Sequence, residues 1–301
     1  MLLEILFTLI FLPNFLQQHV NAEDFSIAGN KEQMGNLEKA PEKIHSDVLD
    51  IQISAKSALA VDSQSGKILY QKNAEETRSI ASITKLMTAL VFLDHNPGWQ
   101  KEFFTIVSDR RNGGIIHLNI GEILTIRNLF YTALIASDND AAIALARSTG
   151  LSEEDFIREM NAKAVFLGLN NTNFADPSGL NNNNRSNARE TVKLLNFALA
   201  NEEIEKAVNI NNYEFEVQNK EKERLVRLKN TNWLLNSYLD VAGGKTGALA
   251  ESGYNLAVKI KGKNNQEILI TVLGSQSNFD RFQDVKAIAD FVFVNYQWLA
   301  E

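Results

Sequence analysis

The chain has 301 residues, of which 45% are hydrophobic and 22% charged, ordinary globular values that exclude collagen-like, wholly disordered and polytopic membrane classes. Thirty Lys and Arg against 37 Asp and Glu give a net charge of −7, which offers no electrostatic footprint for nucleic acid. With no cysteine, disulfides, thiolate metal sites and Cys nucleophiles are excluded together; the four histidines, His19, His45, His95 and His117, form no H-E-x-x-H pair, so hydrolase chemistry is expected to use a base other than a triad histidine.

At the start of the chain Ile5–Leu16 is an apolar run of twelve residues, shorter than the ~20 a helix needs to span hydrocarbon. Followed by Val20-Asn21-Ala22, it reads as the apolar region of a signal peptide covering residues 1–22, with Glu23 starting the mature chain. The segment before it carries Glu4 and no Lys or Arg, so an uncleaved N-terminal membrane anchor is the alternative; a buried helix is the bland one. The expectation is an exported protein, in the periplasm or on the outer face of the cytoplasmic membrane. Residues 23–50 are polar, mixed in charge and without periodicity, a flexible linker, and the folded domain is expected near Ile51, covering 51–301.

Ser57–Val61 and Lys67–Gln71, flanking a turn at Gly66, predict a strand pair, as do Tyr254–Ile260 and Ile268–Leu273. Between them apolar spacing predicts helices at Ser82–His95, Ile126–Ala136, Asp140–Ser148, Glu153–Leu167 and Arg189–Ala200, and a last amphipathic helix lies within Phe279–Leu299. Asn181–Asn184 reads as a loop. Strands at both ends with helices between them predict an α/β (α+β) fold: one antiparallel sheet completed by the two ends, helices packed on it, and an inserted, mostly helical subdomain. The site is expected in the cleft between the two parts.

Three segments carry candidate chemistry. Ser82 and Lys85 stand three apart, on one face of a helix start, where a neutral lysine can take the proton of a serine hydroxyl and helix N–H groups can hold an oxyanion. Ser137-Asp138-Asn139 follows an apolar helix, where capping is the competing reading. Gly243-Gly244-Lys245-Thr246-Gly247-Ala248 is no phosphate loop, because Leu239 stands where that motif needs glycine. It reads either as a glycine-rich turn entering an edge strand or as a place where Lys245 and Thr246 meet a substrate carboxylate while Gly247 admits a substrate backbone.

Ser82-x-x-Lys85, Ser137-x-Asn139 and Lys245-Thr246-Gly247, in that order, make the chain resemble the penicillin-recognising serine acyltransferases. The flanks, among them Asp176-Pro-Ser-Gly-Leu180 and Lys229-Asn-Thr-Asn232, resemble the low-molecular-weight D-alanyl-D-alanine carboxypeptidases from about Lys56 to Tyr296. The resemblance implies the β-lactamase/transpeptidase-like fold and a Ser82 nucleophile attacking a D-Ala-D-Ala carbonyl of peptidoglycan stem peptides. It implies Lys85 as base, Ser137 as proton relay to the leaving amine, Asn139 on the substrate amide and Lys245 as positive charge. Thr246 would bind the terminal carboxylate, and the backbone N–H groups of Ser82 and Ala248 would form the oxyanion hole. No metal or cofactor is implied; β-lactams would be covalent inhibitors. Asp138 receives no role beyond a solvated or capping carboxylate, and Arg189 and Asp176-Pro177 read as structural.

A class A β-lactamase is the nearest rival, since its S-D-N is spelled here, but the loop Asn173–Asn181 lacks the deacylating Glu. A penicilloyl sensor would be expected to lose a catalytic residue, which this chain does not. Carboxypeptidases of this kind often continue into a β-rich domain, whereas this sequence stops at the first, and short relatives include D,D-endopeptidases that cut cross-links; that is the alternative reading.

Overall fold

The structure, a computed structural model, describes residues 40–44, 51–219, 222–263 and 266–298. The expected signal segment 1–22 and most of the expected linker lie outside them. Along the chain come strands β1 (Glu42–Lys43), β2 (Ser57–Asp62), β3 (Ile68–Lys72) and β4 (Arg78–Ser79), a 3-10 turn at Ala81–Thr84, and helix α1 (Lys85–Asp94). Next are β5 (Glu102–Phe104), β6 (Ile123–Thr125), and helices α2 (Ile126–Ile135), α3 (Asn139–Ser148) and α4 (Glu153–Phe166). After β7 (Arg185–Ser186) follow α5 (Ala188–Leu199), α6 (Glu202–Asn209) and the hairpin β8 (Asn212–Gln218) and β9 (Glu223–Lys229). The chain closes with β10 (Asp240–Leu249), β11 (Gly253–Lys261), β12 (Glu267–Ser275), α7 (Asp280–Asn295) and β13 (Tyr296–Gln297).

The main sheet has the order β10-β11-β12-β2-β3 and is antiparallel throughout, so strands from both ends of the chain meet where β12 pairs with β2. Alternation along β11 explains its position. Leu256, Val258 and Ile260 join Phe282, Val285, Ile288 and Val292 of α7 in one core, while Ala257 belongs to a second core with Leu59, Leu269, Val192 and Leu195 on the α5 side. A sheet covered on both faces leaves few solvent-facing positions in its inner strands, and every residue of β2 is buried. Helix α1 is buried nearly all round and packs on α2, α3, α4 and α5, the pattern of a helix at the centre of a domain.

Several elements differ from expectation. The stretch Ala242–Ala248 is not a turn ahead of the first late strand: it is itself β10, an edge strand whose glycines lower strand propensity without preventing pairing to β11. The region after Ala200 adds α6 and the β8–β9 hairpin, which join β5 and β6 in a second, four-stranded sheet inside the otherwise helical subdomain. The last helix stops at Asn295, and Tyr296–Gln297 pairs with Glu42–Lys43, so part of the stretch read as a linker pairs as a strand. Among the described residues no helix is long and apolar enough to cross a membrane.

The two ends are also tied by Asp284 on α7. Its buried carboxylate accepts from Ser54 N (2.7 Å), Ser54 Oγ (2.9 Å), Ala55 N (2.9 Å) and Ser275 Oγ (2.7 Å). Replacing it with alanine strands these donors, which typically costs ~2–4 kcal/mol. Asp284→Ala is expected to lower the urea midpoint of unfolding by that free energy divided by an unchanged m-value; a midpoint equal to wild type would show that the tie contributes nothing.

Candidate active site

Three elements converge on the expected residues. Ser82 lies in the 3-10 turn, not in an α-helix, and caps nothing; Lys85 is the first residue of α1. The turn is set by Ala81, whose φ of +49° is left-handed backbone that a non-glycine residue rarely adopts. Ser137 stands between α2 and α3 with φ +59°, and Asp138 rather than Ser137 caps α3, its carboxylate accepting from Ala141 N at 2.8 Å. Lys245, Thr246 and Gly247 lie on β10, which runs against the serine turn. Both close approaches need glycine: a Cβ on Gly247 would meet Ile80 O at 2.5 Å, and one on Gly179, at φ +88°, would meet Ala81 O at 2.3 Å.

Lys85 is 1% exposed, and its Nζ lies 3.0 Å from Ser82 Oγ, 2.7 Å from Asn139 Oδ1 and 2.6 Å from the Ser178 carbonyl. Burial lowers its pKa from 10.5 to about 7, against the opposing pull of the Asp138 and Asp176 carboxylates. A neutral amine has two N–H bonds and one lone pair. The two shortest contacts are to oxygens that can only accept, so they take the N–H groups, and the lone pair is left for the hydroxyl proton of Ser82. This is the alignment a general base needs.

Lys245, equally buried, donates to Ser137 Oγ at 2.7 Å and to the Thr246 carbonyl at 3.2 Å. Its pKa is pushed well below the usual lysine range, first by burial and then by the positive charges of Lys85 and Arg281. Thr246 shares a 2.6 Å hydroxyl contact with Thr231, and Ala248, the next residue but one on β10, is exposed. The structure therefore brings Ser82, Lys85, Ser137, Asn139, Lys245 and Thr246 to one place, with Gly247 and Ala248 along its edge.

Three contributors were not named as site residues in the sequence. The Ser178 carbonyl holds Lys85, and it is delivered by a loop folded around Asp176. Thr231 meets Thr246. The Arg281 guanidinium, lowered to about 10 mainly by burial, holds the carbonyls of Gly247 (3.1 Å) and Asn255 (3.4 Å) from α7. A carbonyl announces itself in no side-chain pattern; the quoted segments Asp176–Leu180 and Lys229–Asn232 were the available signal for Ser178 and Thr231, and Arg281 had none.

Comparison with known proteins agrees with this geometry. The chain is 33% identical to D-alanyl-D-alanine carboxypeptidase DacF of Bacillus subtilis over 81% of this chain and 63% of that protein, so it spans a little under two thirds of that relative. It is 33% identical to a D-alanyl-D-alanine carboxypeptidase of a Streptomyces species, over 80% of this chain and 88% of the other. It is 36% identical to a D-alanyl-D-alanine endopeptidase of Haemophilus influenzae, over 67% and 69%. The crystal structure of the Streptomyces K15 DD-transpeptidase superposes with a TM-score of 0.76 at 31% identity, covering 82% of this chain and all of that one. Cefotaxime-bound penicillin-binding protein D2 of Listeria monocytogenes superposes at 0.71 with 25% identity, over 82% of this chain and all of that one. Residues 41–277 match the family described as D-alanyl-D-alanine carboxypeptidase, and the chain belongs to that family of penicillin-binding serine peptidases.

Proposed function

We propose that this chain is a serine-type D-Ala-D-Ala carboxypeptidase that trims peptidoglycan stem peptides outside the cytoplasmic membrane, with residues 51–301 as its catalytic domain after an N-terminal export segment (1–22) and linker (23–50). The observation that carries the reading is the buried Lys85 amine 3.0 Å from Ser82 Oγ, with its pKa lowered by burial to about 7. Substrate lies as an extended strand along β10, an edge strand with one side free of sheet partners. Its terminal carboxylate meets the Thr246 hydroxyl and the Lys245 charge, which the carboxylate itself favours by offsetting burial. Asn139 holds the amide on the acyl side.

Ser82 Oγ attacks the carbonyl carbon of the penultimate D-Ala and its proton passes to Lys85 Nζ, while the oxyanion meets the N–H groups of Ser82 and Ala248. Collapse breaks the C–N bond; the leaving amine takes the proton held by Lys85, relayed by Ser137, which leaves Lys85 neutral again, and departs as D-alanine. Water then gives a proton to Lys85, attacks the ester and restores the Ser82 hydroxyl. A second reading, a D,D-endopeptidase that cuts cross-links, is favoured by the identity to the Haemophilus endopeptidase and uses the same acyl-enzyme. Separating the products of purified muropeptides distinguishes the two: loss of D-alanine from pentapeptide monomers supports the first, and dimers falling to monomers the second.

Ser82→Ala and Lys85→Ala are each expected to abolish labelling by a fluorescent penicillin, since losing one member of a nucleophile–base unit costs ~10⁴–10⁶ in rate. Near-normal labelling of Lys85→Ala would mean another base. In wild type the penicilloyl group should persist for minutes as a mass increase on the peptide containing Ser82; rapid turnover of penicillin without a trapped adduct would move the assignment to a β-lactamase.

The acid side follows from the lowered lysine. Below about pH 7 Lys85 binds a proton and loses its lone pair, so the acylation rate should fall ~10-fold per pH unit once well below that value. Because the folded pKa lies below the unfolded 10.5, this group's contribution to stability is full only above pH 10.5 and is lost as pH falls toward 7. Stopped-flow acylation from pH 5 to 9 checks the rate limb; a flat profile would remove Lys85 as the base.

A further inference from the structure

Asp138 takes no part in the steps above, yet it is 2% exposed and sits between Ser137 and Asn139. Each residue from 138 to 140 grips the loop that precedes β6. Asp138 Oδ2 accepts from His117 N at 2.9 Å and faces His117 Nδ1 at 3.0 Å. Asn139 Nδ2 donates to Gly113 O at 3.0 Å, and Asp140 accepts from Arg111 N at 2.8 Å while pairing with the Arg110 guanidinium. The far side of the loop is held from β9: Arg224 donates to the His117 carbonyl at 2.8 Å and grips the buried Glu122 carboxylate with two contacts of 2.8 and 2.7 Å. His117 is thus fixed at its backbone N–H, its ring and its carbonyl.

The consequence reaches the base through one amide. A Cβ on Gly114 would lie 2.8 Å from Asn139 Nδ2, so the loop backbone rests directly on the Asn139 amide, whose other end holds Lys85 Nζ at 2.7 Å. We propose that Asp138 and His117 form a latch that presses this loop onto Asn139 and so orients the Lys85 amine: both are positioning residues for acylation, an inference that rests on Lys85 being the base. The latch holds whether the imidazole is neutral or protonated, because Nδ1–H donates to the carboxylate in either state. Asp138 has a second effect that packing alone cannot supply. Its charge faces Lys85 together with Asp176 and against Lys245, and so opposes the loss of the lysine proton.

Three full-length variants test this with a fluorescent penicillin in stopped flow, alongside thermal melting. His117→Ala should lower the alkaline plateau of the acylation rate about tenfold, the scale of a small misplacement of a reacting group. His117→Asn, whose amide nitrogen reaches roughly where Nδ1 lies, should recover most of that loss. Asp138→Asn keeps the helix cap through Oδ1 but removes the charge and turns an N–H donor toward His117, so its plateau should fall and its acid limb should move to lower pH than in wild type. His117→Ala at the wild-type rate, His117→Asn as slow as His117→Ala, or an unmoved acid limb in a folded Asp138→Asn would each overturn the latch. If Asp138→Asn does not fold, the His117 pair decides alone. Wild type that labels at Ser82 while the His117 variants match it would sink this inference and leave the carboxypeptidase reading standing; wild type that fails to label would sink both.

Discussion

Two lysine amines buried within reach of each other's charge are the constraint around which this molecule is arranged. Taking an ammonium out of water is expensive, and a second one beside it more so. The protein meets the cost in two ways: burial lowers the pKa of both amines, and the fold surrounds them with oxygens. Lys85 faces Asn139 Oδ1, Ser82 Oγ and the Ser178 carbonyl; Lys245 faces Ser137 Oγ and the Thr246 carbonyl. A positive charge on Lys85 disfavours one on Lys245. A substrate carboxylate bound as proposed would change that balance at Lys245 without requiring Lys85 to give up its lone pair.

Holding such a pair needs a frame that cannot relax, and the frame is built from segments distant along the chain and close in space. The serine turn enters from β4, the Ser137 turn from α2, and the lysine-bearing β10 from the far end of the chain. Their mutual approach depends on backbone packed without side chains at Gly179 and Gly247, and on two non-glycine residues, Ala81 and Ser137, kept at positive φ. Such strained conformations persist only when the surroundings over-determine them. The sheet sealed on both faces by α5 and α7 and the central helix α1 supply that rigidity, with Arg281 tying α7 to the carbonyl of Gly247 beside the lysine strand.

What could be read from the sequence was side-chain chemistry at fixed spacing and long, regular periods. Ser82 with Lys85 and the helices at 126–136 and 153–167 announced themselves in this way, and so did the sheet shared by both ends. Glycine concealed β10: Gly243, Gly244 and Gly247 look like a turn because the residue's intrinsic preference is read before its pairing to β11. The β8–β9 hairpin carried a legible period of two, with Tyr213, Phe215 and Val217 alternating against polar neighbours and Val226 and Leu228 doing the same, and it went unread beside the stronger helical signals. Strands of two or three residues such as β1 and β5 have no local signal at all; a partner distant in sequence makes them. The grip of His117 on Asp138 is of the same kind, since twenty-one residues separate them and neither type demands the other.

The loop at Asn173–Asn181 shows how a sequence argument and a geometric one meet. The sequence lacks a Glu there, which leaves open whether its one carboxylate, Asp176, could activate the deacylating water instead. The structure removes that freedom. Asp176 Oδ1 accepts from Ser178 N, Ser178 Oγ and Gly179 N at 2.5–2.7 Å, and Oδ2 accepts from Asn181 N at 2.5 Å and Asn184 Nδ2 at 3.0 Å. Five donors saturate the two oxygens, and taking a proton would break the bonds that shape the loop. The carboxylate is consumed in placing the Ser178 carbonyl on Lys85, so the loop that would complete the proposed base offers no free carboxylate as a second one. On the proposed mechanism deacylation would then fall to Lys85, which a small, displaceable leaving group such as D-alanine would leave accessible to water and a tethered β-lactam fragment would not.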